Sequence, residues 1–132
     1  MKKLVLGLLL TVLFTSAFGW GQTGHRVTGQ IADAYLLKKT RTALAKILGT
    51  ESLAMASTWM DEIRSDSTYD YTSDWHWVTI NTGETYAASV KNSKGDVIMT
   101  LERLISELKS KKLSAEKERE HLKMLIHLIG DI

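Results

Sequence analysis

From Thr23 to Leu48 the apolar side chains recur as Val27, Ile31 and Ala34, and then as Leu44, Ile47 and Leu48. That three-to-four spacing predicts one long helix or two short ones. Ser52 to Arg64 keeps helical spacing through Leu53, Ala56, Met60 and Ile63. The pattern then breaks. Ser65 to Thr85 is rich in Ser, Thr, Asp and Tyr around the aromatic knot Trp75, His76 and Trp77, and reads as an irregular polar loop with a short extended piece at Trp77 to Ile80. Helical spacing returns from Asp96 through Val97, Leu101, Leu104 and Leu108, and ends in Lys109, Lys111 and Lys112, cations that suit a helix C-terminus. Ser114 is placed to cap a last helix, with Glu116 and Glu118 in its first turn. Beyond Glu120, the residues Leu122, Met124, Leu125, Ile126, Leu128 and Ile129 lie on every side of that helix, so it is expected to be buried all round. The elements add up to an all-α architecture, with long helices around one core and one ordered polar loop.

Length and composition narrow this further. A chain of 132 residues forms one domain at most. Lys2 and Lys3, the apolar run Leu4 to Phe14, and the small residues Ala17 and Gly19 have the order of a secretory signal, read here as residues 1–19. The run is far too short for the ~30 Å hydrocarbon core, so a membrane anchor is the weaker reading. The expectation is a secreted or periplasmic protein of residues 20–132, off the membrane once the signal is cut. The formal net charge of +2 includes Lys2 and Lys3, so the mature part is neutral and carries no basic footprint for nucleic acid. An exported chain without cysteine has no disulfide framework and must rely on its core or on bound metal.

The histidines and carboxylates are therefore the candidate chemistry. His127 and Asp131 stand four apart on the last helix and project from one face. Two ionisable groups in so apolar a helix need either each other or a shared metal. Gly130 between them lets a backbone or an ion come close. His76 sits between Trp75 and Trp77, where it either plugs an aromatic cluster or serves as a ligand. Asp61 and Arg64, three apart, form an ordinary ion pair on one helical face or belong to a site. Cleavage after Gly19 would free the Trp20 amine, which with its own carbonyl makes a five-membered chelate near His25. The alternative is a flexible terminus with Trp20 as a hydrophobic staple. His121 lies on the hydrophilic start of the last helix and is assigned no role. Nitrogen with carboxylate oxygen is a donor set suited to zinc, and thiolate sites are excluded.

The pieces Trp20-Gly21-x-x-Gly24-His25, Trp59-x-Asp61-x-Ile63-Arg64, Trp75-His76-Trp77-Val78, Gly95-Asp96-Val97 and His127-Leu128-Ile129-Gly130-Asp131 occur in the same order as in the zinc-dependent single-strand-specific nucleases of the S1/P1 type. The chain resembles that family over essentially all of residues 20–132. The resemblance implies an all-α helical bundle of the zinc nuclease and phospholipase C type, exported, acting as a hydrolase on single-stranded DNA and RNA or as a 3′-nucleotidase through three clustered zinc ions. It places Trp20 and His25 on one zinc, Asp61, His76 and His127 on a second, and Asp131 between the two. Arg64 and Asp61 take the catalytic positions, with Arg64 steadying charge on the phosphate, and Trp77 takes the place of an aromatic on which a base stacks. No obligate protein partner is implied. Thr79 stands where the family often has Asn or Asp, which leaves base preference open. After Gly-Asp the family continues with a His-Gln-Pro-Leu-His run and further ligands for the third zinc. The expectation is therefore a truncated bundle, the N-terminal part of such an enzyme, carrying ligands for two of three metals and showing little or no activity alone.

The chemistry agrees with this assignment. Zinc ions about 3.5 to 4 Å apart can hold the attacking and leaving oxygens of a phosphodiester, and divalent charge removes the need for a wide basic surface. Stacking tolerates any base but needs an unpaired one. Two other readings stand beside it: a non-catalytic secreted helical module with structural histidines, and a zinc phospholipase C-like phosphodiesterase.

Overall fold

The computed structural model describes residues 21–132. These hold six α-helices: α1 (Gln22–Ala34), α2 (Lys38–Leu48), α3 (Leu53–Ala56), α4 (Trp59–Glu62), α5 (Val97–Ser110) and α6 (Ala115–Asp131). Short 3-10 segments follow α4 at Ile63–Ser65 and Ser67–His76, and no strand occurs among the described residues. The expected signal at residues 1–19 and the candidate ligand Trp20 lie outside the described residues. No helix among the described residues is long and apolar enough to cross a membrane.

The first helical stretch is two helices. The chain turns at Tyr35–Leu37, where Arg41 of α2 reaches back to the Asp33 carboxylate at 2.7 Å and its carbonyl at 2.6 Å. The stretch from Ser52 to Arg64 departs from the single helix its spacing suggests and breaks into α3, α4 and a 3-10 turn. Ser57 and Thr58 lie at the break, with hydroxyls donating back to the carbonyls of Ala54 and Met55 at 2.8 and 3.1 Å. Such local bonds compete with the helical ladder.

The polar stretch is also corrected. Its first half, Ser67–His76, is an ordered 3-10 segment held by its Ser, Thr and Asp content, while residues 77–85 are irregular as expected. Asp66 caps the start by accepting from the Thr68 amide at 3.0 Å, and Thr72 and Ser73 donate to carbonyls three residues back. The chain is extended at Trp77 but joins no sheet.

The single expected core is two clusters flanking α6. Met60, Trp75, Val97, Leu101, Leu104, Met124 and Leu128 form one, and Leu48, Leu53, Ala56 and Leu122 the other. Each fully buried side chain of this size contributes roughly 1.5–3 kcal/mol. Ser114 caps α6 as anticipated, accepting from the Lys117 amide, and Asp96 caps α5 by accepting from the Met99 amide. Helix α6 is not buried on every side, because Ile129 near its C-terminus is half exposed.

Gly29 decides how α1 docks. A Cβ there would lie 2.6 Å from the Leu53 carbonyl oxygen and 2.8 Å from the Ala54 Cα, so α1 and α3 cross backbone to backbone. This contact lays His25, one turn earlier on α1, against α6.

Candidate metal centre

Five polar side chains from four separate stretches meet beside the C-terminal half of α6. His25 comes from α1, Asp61 from α4, His76 from the end of the 3-10 segment, and His127 and Asp131 from α6. His25 and His127 are essentially fully buried, while Asp61, His76 and Asp131 are partly buried. The rings of His25 and His127 stack with centroids 4.1 Å apart, and His76 meets His127 edge-on at 4.9 Å.

The contacts centre on Asp131. Its Oδ1 lies 3.3 Å from His25 Nε2, and its Oδ2 lies 3.0 Å from His76 Nδ1 and 3.4 Å from His127 Nε2. His127 Nε2 is also 3.2 Å from His76 Nδ1. Asp61 stands at the edge, 4.0 Å from both His25 Nε2 and His127 Nε2. Two ligand groups result, His25–His127–Asp131 and Asp61–His76–His127, each offering three donor atoms within 4.8 Å of one another.

Proton bookkeeping shows what these groups can hold. His127 Nδ1 donates to the Ser57 carbonyl oxygen at 2.7 Å, which turns Nε2 toward the cluster. His25 Nδ1 and His76 Nε2 are buried without any hydrogen-bond partner. Burial, and then the neighbouring His127, push the His25 pKa below its ordinary value, against the opposing pull of Asp131 and Asp61. The ring is thus kept neutral and able to donate. Burial acts to raise Asp131, but hydrogen bonds from His127 and His76, reinforced by their charge, dominate and hold its carboxyl well below the usual carboxylate range. Two aspartates and three imidazoles, converging from four stretches of the chain, form a nitrogen and carboxylate-oxygen donor set. That donor set fits zinc.

Sequence reading had paired Asp61 with Arg64, and Arg64 Nη1 is 3.7 Å from Asp61 Oδ1 on a largely exposed side chain. Trp77, next to His76, is 48% exposed and borders a hollow of about 200 Å³ lined by Val78, Thr79, Val90, Lys91, Asn92 and Asp96. Of the predicted site residues, His25, Asp61, His76, His127 and Asp131 are brought together, Arg64 lies at the edge beside Asp61, Trp77 follows His76 in the chain and borders a hollow that holds none of the five, and Trp20 is outside the described residues. The Ser57 carbonyl was missed, because a backbone acceptor leaves no mark in a residue pattern. Roomier hollows of about 470 and 830 Å³ lie against α2 and the first half of α6 and contain none of the five cluster residues.

Comparison with known proteins points the same way. The family model for S1/P1 nuclease matches residues 20–132. Nuclease P1 of Penicillium citrinum is 26% identical over 121 residues, which cover 86% of this chain and 45% of that protein. Nuclease S1 of Aspergillus oryzae is 25% identical over 123 residues, covering 87% and 42%. Endonuclease 4 of Arabidopsis thaliana is 35% identical over 74 residues, covering 54% and 25%. The chain spans less than half the length of these relatives.

Proposed function

Because the chain belongs to the S1/P1 nuclease family, we propose that it carries metal ligands and phosphate-handling side chains of a zinc-dependent hydrolase that cuts single-stranded DNA and RNA or removes 3′-phosphates. The observation that carries this reading is the convergence of three imidazoles and two carboxylates within reach of one another. In the proposal His25, with the Trp20 amine and carbonyl, would hold one zinc, Asp61, His76 and His127 would hold a second, and Asp131 would serve both. Zinc bound there would supply Lewis-acid charge to a phosphate and acidify water near neutral pH.

The remaining roles belong to the protein itself. The Ser57 carbonyl holds His127 in one tautomer and one orientation. Arg64, exposed at the rim, presents a planar fork of donors to phosphate oxygens, which a lysine would not reproduce. Trp77 offers a half-exposed indole face on which an unpaired base stacks for about 1–3 kcal/mol, and this favours single strands. Export belongs to the same reading, because the Trp20 amine is free only after cleavage at Gly19. N-terminal sequencing of exported protein should then begin at Trp20.

The test is zinc uptake measured by competition with a chromophoric chelator. Wild-type protein should bind zinc stoichiometrically, and Asp131→Asn should weaken binding by more than about 100-fold, beyond the loss of an outer partner. Absence of stoichiometric zinc, or an Asp131→Asn variant that binds it unchanged, would refute the assignment.

A further inference from the structure

We propose that Gly130 is a positioning residue whose missing side chain leaves the space in which His25 stands as a ligand. The inference rests on the zinc reading above. A Cβ built at Gly130 would lie 2.7 Å from His25 Nδ1 and 3.3 Å from His25 Cε1, and the three atoms nearest to it outside its own helix backbone and chain neighbours all belong to the His25 ring. At 2.7 Å something must move. His25 is 1% exposed, its ring is stacked on His127 at 4.1 Å, and it is carried by a helix fixed on α3 through Gly29, so the ring is hemmed in on those sides. The way out is a displacement of Nε2 from its place 3.3 Å from Asp131 Oδ1, which takes His25 out of the His25–His127–Asp131 group. The Asp61–His76–His127 group contains no atom that the new Cβ touches. Gly130 therefore controls one of the two ligand groups without being a ligand.

Ordinary helix energetics points in the opposite direction, which makes the proposal sharp. Gly130 lies in the last turn of α6 without a positive φ, so alanine there reduces the entropy lost on folding and should stabilise an unobstructed helix. A steric role reverses that sign only while the imidazole is present.

The experiment places Gly130→Ala in the wild-type and His25→Ala backgrounds and reads Tm, zinc affinity and, in metal-free protein, the nuclear Overhauser contact between the rings of residues 25 and 127. In the wild-type background the substitution should lower Tm, weaken or erase the ring contact, and weaken zinc binding by about tenfold or more, the scale for a displaced ligand orientation. In the His25→Ala background it should raise Tm and change zinc affinity little. Failure of Gly130→Ala to fold, with the double variant folding, supports the same conclusion. A Tm that rises in both backgrounds with the ring contact intact overturns the proposal, as does a double variant no more stable than His25→Ala. Wild-type protein that takes no zinc yet shows the reversal of sign would sink the zinc reading and retain the packing role.

Discussion

The two ends of α6 each carry a histidine, and they use it differently. Near the N-terminal half, His121 Nδ1 faces a single carboxylate, Glu107 on α5, at 3.1 Å, a charge contact whose angle falls short of a hydrogen bond. Its neighbours are matched one to one as well, with Lys117 on Glu120 at 2.8 Å and Lys123 on Glu51 at 2.9 Å. Six residues on from His121, His127 directs its Nε2 toward another imidazole nitrogen and an aspartate oxygen, while its Nδ1 is already committed to a carbonyl. The first end pairs each ionisable group with one partner. The second brings three imidazoles and two aspartates together. What separates an ion pair from a metal site on one helix is therefore the count of acceptors that converge, not the presence of histidine or its burial alone.

The comparison breaks most visibly under substitution of the two histidines. His127→Ala removes a donor shared by both ligand groups and should abolish measurable zinc binding in a chelator competition assay, whereas His121→Ala should leave the affinity within about twofold, since His121 belongs to neither ligand group. Equal losses from both would erase the distinction between the two ends. Next in size is the effect of the metal on stability. With zinc about 1,000-fold above its dissociation constant the folded state gains about 4 kcal/mol, so a chelator should lower Tm by several degrees or more in scanning calorimetry. The His127→Ala variant should show no such response. Smaller again is Ser114→Ala, which removes the acceptor for the Lys117 amide at the start of α6 and should cost about 1 kcal/mol in urea unfolding with zinc affinity unchanged. The smallest is Glu107→Gln, expected to cost less than about 1 kcal/mol by the same measurement, again without effect on zinc.

The caps and the residues of this site differ in how far they could be read from the chain. Ser114 was legible because an N-cap is a local bargain between one side chain and an amide three residues on. The pair His127 and Asp131 was legible for the same reason, being one helical turn apart. His25, Asp61 and His76 belong to distant stretches, and nothing local says that they meet. They were named through the order of motifs shared with a family, and their convergence depends on tertiary contacts such as the crossing of α1 and α3 at Gly29. The failures have physical causes too. Ser57 and Thr58 broke a helix that apolar spacing had run through, because hydroxyls donating to nearby carbonyls compete with the ladder. The same chemistry turned the first half of the polar stretch, Ser67–His76, into an ordered 3-10 segment. Half-exposed Ile129 was expected to be covered, because periodicity records which residues are apolar and not which of them meets a neighbour.

The most direct test of the shared-cation account is an anomalous difference map recorded at the zinc absorption edge from crystals of the zinc-loaded protein. Density is expected at coordination distance, about 2.0–2.2 Å, from His127 Nε2, with a second position on the His25 side of Asp131. Zinc found only at His121 and surface carboxylates, with the five converging side chains hydrogen-bonded solely to one another, would contradict it.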